Sequence, residues 1–359
     1  MRPAPGAVRV VHVPGRTQGV RKLRDGRIEF VNGTSGTGQV VPEHVSLDWL
    51  LRHQPWDRID VVHFHHVDFE PRRTLRSVLA ECRRAGVGIA FTAHDLMPIF
   101  GDRTEHHRRL RELTTWDVLF ICLTSTAQTE VRRRFPDVRT TTIPHGYVAV
   151  PGTPTRPPAR GPGPTRFLLY GSLRRNRDVE LALACWRFSP ALSHSTMRLL
   201  LRAPSRRSLA EDGSTWQAIR EHAVDPRLQV DVRPFPSDRE VDDAIASADC
   251  LVLPYRWASH SGQLEHAFDL GVLPVAARTG YLPDQVALHN GLAPEPEWFD
   301  WPGDRPYEHG AQLLEALERA HTAIQAGWRA PSSELFVQHR TREHAAILAD
   351  HRSAYLACR

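Results

Sequence analysis

Two series of alternating strand-like and helix-like segments, separated by a stretch too rich in proline and glycine to pack, set the frame for this chain. Before the break, short apolar and β-branched runs at 8–13, 59–64, 88–92, 118–123 and 140–143 read as strands. Amphipathic segments at 71–85, 105–113 and 125–135 lie between them and read as helices. Residues 151–164 carry prolines at 151, 154, 157, 158, 162 and 164 with glycines among them. Proline removes a backbone donor and glycine maximises chain entropy, so this stretch reads as a linker. The alternation then restarts, with strands at 167–170, 197–201, 228–232, 250–253 and 273–276 and a helix at 179–186. Strands alternating with helices predict parallel sheets built from βαβ units.

The length of 359 residues fits this division into two cores. The expected domains are 1–150 and 166–330, both Rossmann-like, joined by a linker over 151–165 and facing across a cleft. A helical segment over 331–359 follows, which could fold back over the first domain. Residues 33–38 hold three glycines among Ser and Thr and read as a flexible loop. They lack the strand-before, helix-after context of a phosphate-binding fingerprint.

Composition excludes several function classes. Hydrophobic residues make up 41% and charged residues 24%, as in a globular domain rather than a disordered chain. No run of about 18 apolar residues suggests an integral membrane segment, and residues 1–13 lack the apolar stretch of a signal peptide, so the expected location is cytoplasmic. The five cysteines, at 82, 122, 185, 250 and 358, form no C-x-x-C pair and suggest neither zinc site nor disulfide framework. Cys122 and Cys250 lie in apolar runs and are expected to be buried packing residues. The net charge is +5 and the pI about 9.2. Lys22 is the only lysine, and arginine abundance of this kind reflects a GC-rich coding bias. The arginines are spread along the chain, with no aromatic-basic interleaving of a nucleic-acid module, so no nucleic-acid partner is expected.

Three segments carry chemistry. In 251–276, LVLPYRWASHSGQLEHAFDLGVLPVA, a strand ends at Pro254-Tyr255 and a helix opens behind His260, Ser261 and Gly262. A helix N-terminus there exposes amides and a positive dipole end, which suits a phosphate. Glu265, one turn inside, could accept bonds from two ribose hydroxyls. The bland alternative makes Ser261 a plain N-cap and Glu265 its capping partner. In 168–179, a strand ends at Gly171-Ser172 and Arg175 and Arg177 follow. Their guanidinium groups could clamp a diphosphate and stabilise charge on a leaving nucleotide, or they are simply solvated arginines. In 91–97, His94 and Asp95 sit at a strand end, where open α/β folds bind ligands. Histidines recur at two further strand ends, in 61–69 (VVHFHHVDF, with His65 and His66) and in 142–147 (TIPHGY, with His145). His63 and His65 share a strand face, but no carboxylate or thiol at ligand spacing completes a metal site, so none is expected.

On these residues the chain resembles the retaining glycosyltransferases of the GT-B fold, the glycosyl transferases group 1 family that includes glycogen synthase-like and phosphatidylinositol mannosyltransferase-like enzymes. The resemblance rests on His94-Asp95, His145-Gly146, Gly171 with Arg175 and Arg177, Ser261-Gly262 with Glu265, and Gly280 with the following Tyr281-Leu282-Pro283. It implies transfer of a sugar from a nucleotide-sugar donor to an acceptor hydroxyl, with retention and without a metal or other cofactor. It makes the Arg175–Arg177 loop the diphosphate site, with Arg177 in place of a lysine, Glu265 the ribose contact, and His94 a contact of the transferred sugar. The loop after the first strand, with Gly15 and Arg16 or with Gly19, becomes the acceptor side for a small-molecule, lipid-linked or natural-product acceptor. Many members carry a second glutamate two turns ahead of the ribose-binding one; Trp257 stands there, a form that resembles a subset seen in actinobacteria. That departure motivates a second class, a non-catalytic nucleotide-sugar-binding partner protein. A GT-B sugar-nucleotide epimerase and a pseudoglycosyltransferase are the enzymatic alternatives.

Overall fold

The computed structural model describes residues 6–15, 18–36, 39–68, 70–98, 102–152, 163–204, 206–301, 306–331 and 333–359. Most of the proline-rich linker, 153–162, lies outside these residues, as does Arg16. The chain divides into two compact units, one of residues 1–146 with 342–359 and one of residues 147–341.

The first unit is built on a parallel six-stranded sheet. Its strands are β1 (Val8–Val13), β2 (Ile28–Phe30), β5 (Val61–Phe64), β6 (Gly88–Thr92), β7 (Val118–Cys122) and β8 (Arg139–Thr142), in the order β2-β1-β5-β6-β7-β8. The intervening β3 (Ser35–Gly36) and β4 (Gln39–Val40) pair antiparallel, so the described part of the glycine-rich stretch 33–38 is not loop throughout. Strands β5, β6 and β7 are buried at every position, which is why they read as continuous apolar runs rather than alternating ones. The helix Arg72–Ala85 shows the complementary logic. Leu75, Val78, Leu79 and Cys82 recur at i, i+3, i+4 and i+7 and are its buried face. Gly86, at φ 68°, ends it in the left-handed conformation that a Cβ would disfavour.

The second unit repeats the plan. Its parallel sheet comprises β9 (Thr165–Gly171), β10 (Ser195–Arg202), β11 (Leu228–Arg233), β12 (Cys250–Leu253), β13 (Leu273–Ala277) and β14 (Glu297–Phe299), ordered β11-β10-β9-β12-β13-β14. Counted from its own first strand this is 3-2-1-4-5-6, the doubly wound Rossmann order. Trp186 is fully buried in this unit's core and satisfies its indole N–H on Ser195 Oγ at 2.8 Å. The helix Asp238–Ser247 opens on a capping box between Ser237 and Glu240.

The last helix, Ser333–Ala357, belongs to both units by residue. Ile347, Ala354, Tyr355 and then Cys358 are buried with Val8, Val10, Val61 and Ile121 in the first unit's core, while Arg340 is buried in the second. Cys122 and Cys250 are buried as expected, and all five cysteines are free thiols. Among the described residues no helix is long and apolar enough to cross a membrane.

Candidate functional site

In a 3-2-1-4-5-6 sheet the connections leave to opposite faces on either side of the first strand, and ligands bind outside the carboxyl ends of strands one and four. In the second unit those are the ends of β9 and β12, and two of the three sequence motifs converge there. Gly171 closes β9 at φ 106°, and a Cβ on it would come within 3.0 Å of Gln263 Nε2 and 3.2 Å of an Arg177 nitrogen. Arg177 itself is only 8% exposed. Its guanidinium donates to the Tyr170 carbonyl at 2.9 Å, to Gln263 Oε1 at 2.5 Å and to the Tyr255 hydroxyl at 3.3 Å, and lies over the Tyr255 ring at 5.2 Å. Three of its five N–H groups are used in this way. Ser172 is half-buried and Arg175 exposed.

The loop after β12 is stapled to this arginine loop. Arg256 N donates to the Asn176 carbonyl at 2.8 Å and its guanidinium pairs with Asp178 at 2.7 Å. Asn176 donates to the Trp257 carbonyl at 3.1 Å. From the other side, Gly280 sits so close to the Ala258 carbonyl that any Cβ would overlap it, and Tyr281 N bonds Ser259 O at 3.1 Å. The His260 ring lies 5.3 Å from that of Tyr281.

Ser261 then caps the helix Gly262–Asp269, its hydroxyl accepting from Leu264 N at 3.1 Å and meeting Tyr255 Oη at 2.9 Å. Gln285 clamps the cap from both ends, accepting from Ser261 N at 3.0 Å and donating to Ser261 O at 2.9 Å. The result is a rigid helix N-terminus at a sheet switch point with an arginine beside it, an arrangement suited to an anion.

Glu265 is 2% exposed, and its carboxylate accepts from Gln285 at 2.7 Å, His289 at 3.1 Å and Arg340 at 2.5 Å. Arg340 also bonds Asp269 Oδ1 at 2.8 Å, and Asp269 Oδ2 accepts from the amides of Val148 and Ala149 at 2.6 and 3.1 Å. The plain capping-partner alternative does not hold. Glu265 is the fourth residue of the helix counted from its cap, not the third, and the Ser261 N–H goes to Gln285 instead. Tyr255 was legible only as a strand end, and Gln263, Gln285 and Arg340 carry no motif; Arg340 comes from 75 residues further along the chain than Glu265.

The first unit collects the histidines at the carboxyl ends of its strands. His65 extends the ladder beyond β5, its N–H bonding Val13 O at 2.9 Å. The His65 and His94 rings are 6.0 Å apart, and so are those of His94 and His145. Asp95 follows, half-buried, as is His66. Lys22 Nζ donates to the His145 carbonyl. Gly15 is buried against Asn32 and the Glu43 carbonyl, where a Cβ would collide, and Asn32 holds both backbone groups of His12, at 2.8 and 3.0 Å. His12 was not singled out in the sequence, although it stands on the first strand as His63 does on β5. Burial, and then the neighbouring imidazoles, push His12, His63 and His65 well below the usual histidine range. Burial takes His351 down to about 4.

This architecture of two parallel six-stranded α/β units is the GT-B glycosyltransferase fold. Among solved structures, the chain is similar to sucrose-phosphate synthase from Thermosynechococcus elongatus, at 16% identity, 98% coverage of each chain and a TM-score of 0.66. It is similar to HepE from Anabaena in complex with UDP, at 12% identity over 98% of this chain and 100% of that one, TM-score 0.61. A third is α,α-trehalose 6-phosphate synthase from Burkholderia multivorans, at 12% identity, 98% of each chain and TM-score 0.58. No protein-family model and no curated protein sequence matches the chain. At these identities the likeness speaks for the fold.

Proposed function

We propose that the chain is a cytoplasmic glycosyltransferase that moves a sugar from a nucleotide-sugar donor to an acceptor hydroxyl with retention, and that it needs no metal at the diphosphate. The observation that carries this reading is the anion-suited constellation at the ends of β9 and β12: Gly171, Arg177 and the Ser261-capped helix in one stapled assembly. The similar structures include one solved with UDP, whose fold this chain shares.

In this reading the donor diphosphate lies on Gly171, Ser172, Arg175, Arg177 and the amides behind His260, Ser261 and Gly262. The acceptor oxygen bonds to the anomeric carbon as the bond from that carbon to the diphosphate oxygen breaks, and the acceptor proton passes to the departing diphosphate. Charge builds on that diphosphate, and fixed guanidinium and amide donors stabilise it without reorganising. Arg177 is pre-positioned by its three protein bonds, whereas exposed Arg175 closes on the ligand. His94 and Asp95 belong to the acceptor-side unit, with Gly15, Arg16, His65, His66 and His145; His94 contacts the transferred sugar. Glu265 contacts the ribose only by sharing a carboxylate that Gln285, His289 and Arg340 already occupy, so its network has to yield one acceptor site on binding.

That occupied carboxylate, with Trp257 in the place of a second glutamate, favours one rival reading: a protein that binds nucleotide sugars without turning them over. The two separate in one experiment. Purified protein is incubated with a panel of nucleotide sugars, and binding is followed by titration calorimetry while free nucleoside diphosphate is assayed over time. Transfer or donor hydrolysis supports the transferase. Binding without release supports the rival, and no binding of any nucleoside diphosphate removes both.

A further inference from the structure

The first sheet, in the order β2-β1-β5-β6-β7-β8, has its own switch point between β1 and β5. His12 and His63 are direct partners in that ladder, and His65 follows at the strand end, so three imidazoles meet where such folds bind ligands. We propose that His12, His63 and His65 form a site for one divalent transition-metal cation of the zinc type.

The ligating atoms of the three residues lie within 4.8 Å of one another. His12 Nδ1 and His65 Nε2 are 2.9 Å apart and share one proton. A tetrahedral cation about 2.0–2.1 Å from each nitrogen replaces that proton with only a small opening of the pair. The two nitrogens of His63 meet Thr92 Oγ1 at 2.7 Å and Tyr355 Oη at 2.8 Å. A hydroxyl can accept as well as donate, so one His63 nitrogen can turn to the cation while the other keeps its bond and fixes the ring, the usual outer-shell support of a metal-bound histidine.

The chemistry of the set selects the ion. Three neutral imidazoles without a carboxylate or thiolate favour zinc, nickel, copper or cobalt over magnesium or calcium. Ligation uses the neutral imidazole, so uptake of the ion competes with protons. Three protein ligands leave the fourth position to an oxygen donor such as water. The sequence alone offered only His63 and His65; the third ligand comes from the neighbouring strand. The proposal does not depend on the transferase reading, because the diphosphate site lies wholly on residues of the second unit.

The test is titration of the chelator-stripped full chain with Co2+, read by its tetrahedral visible absorption, with Zn2+ as competitor and metal content measured after gel filtration. One equivalent per chain, displaced by Zn2+, is the expected result. His65→Gln should weaken uptake at least about tenfold, and His222→Gln, in the second unit, should leave it unchanged. Absence of a tetrahedral spectrum in the parent, or equal uptake by folded His65→Gln, overturns the site. Should the variant fail to fold, imidazole nitrogen NMR of the parent decides: Zn2+ must shift three slowly exchanging histidines, and shifts confined to exposed ones also overturn it.

Discussion

Arg175 and Arg177 stand two residues apart in one loop, yet burial gives them different tasks. Arg177, packed on Tyr255 and bonded to Tyr170 and Gln263, is part of the unit's framework, so Arg177→Ala should lower both stability and ligand affinity. Arg175 is exposed. Arg175→Ala should leave the melting temperature within about 1 °C while weakening nucleoside diphosphate binding roughly tenfold, as loss of one charge-assisted bond does. Unchanged affinity in titration calorimetry would remove Arg175 from the site. Glu265 is a different case. Its position in the sequence suggests that Glu265→Gln would affect only the ligand. The structure makes it a partner of buried Arg340, which keeps Asp269 but loses a carboxylate. The substitution should therefore cost about 1–3 kcal/mol of stability by itself, measurable as a lower denaturant midpoint of the unliganded protein. An unshifted midpoint would show that the network contributes little, and would return the residue to a purely ligand-facing role.

At the scale of the element, the loop 254–260 is fixed less by its own sequence than by what lies on either side. Asn176, Asp178 and Arg177 hold one side and Gly280 the other. Gly280 combines φ 56° with a close approach to the Ala258 carbonyl, so only glycine fits. Gly280→Ala should cost about 2–3 kcal/mol and displace the loop, weakening nucleoside diphosphate binding even though residue 280 need not touch it. If thermal melts and affinity both match the parent, the loop is softer than this contact implies. The histidines form a second such assembly. Their strands were legible from apolar runs, but that the ends of β1, β5 and β6 gather into one cluster follows from strand order, which no local pattern encodes.

Across the whole molecule, both units depend on the last helix by residue: Arg340 completes the ion network of the second, and Ile347 and Tyr355 complete the core of the first. A chain ending before Ser333 should lose solubility or melt well below the parent, with increased protease sensitivity in residues of both units. Proteolysis that spares either unit would show that unit to be independent of the helix. Within each unit many arginines are paired with acids, as in Arg9–Asp60, Arg76–Glu112, Arg133–Glu130 and Arg166–Asp249. The sequence by itself determined the α/β class, the parallel strands and the residues of the arginine loop and the helix N-terminus. Burial periodicity and capping chemistry are local and leave their mark in consecutive residues. It did not register β2 or β14, each of only three residues, and it carried no sign of Gln285, Arg340 or His12 as parts of a site. Those were decided by the tertiary structure, because hydrogen-bond partners 20 to 75 residues apart are joined by strand order and helix docking rather than by any repeat in the chain.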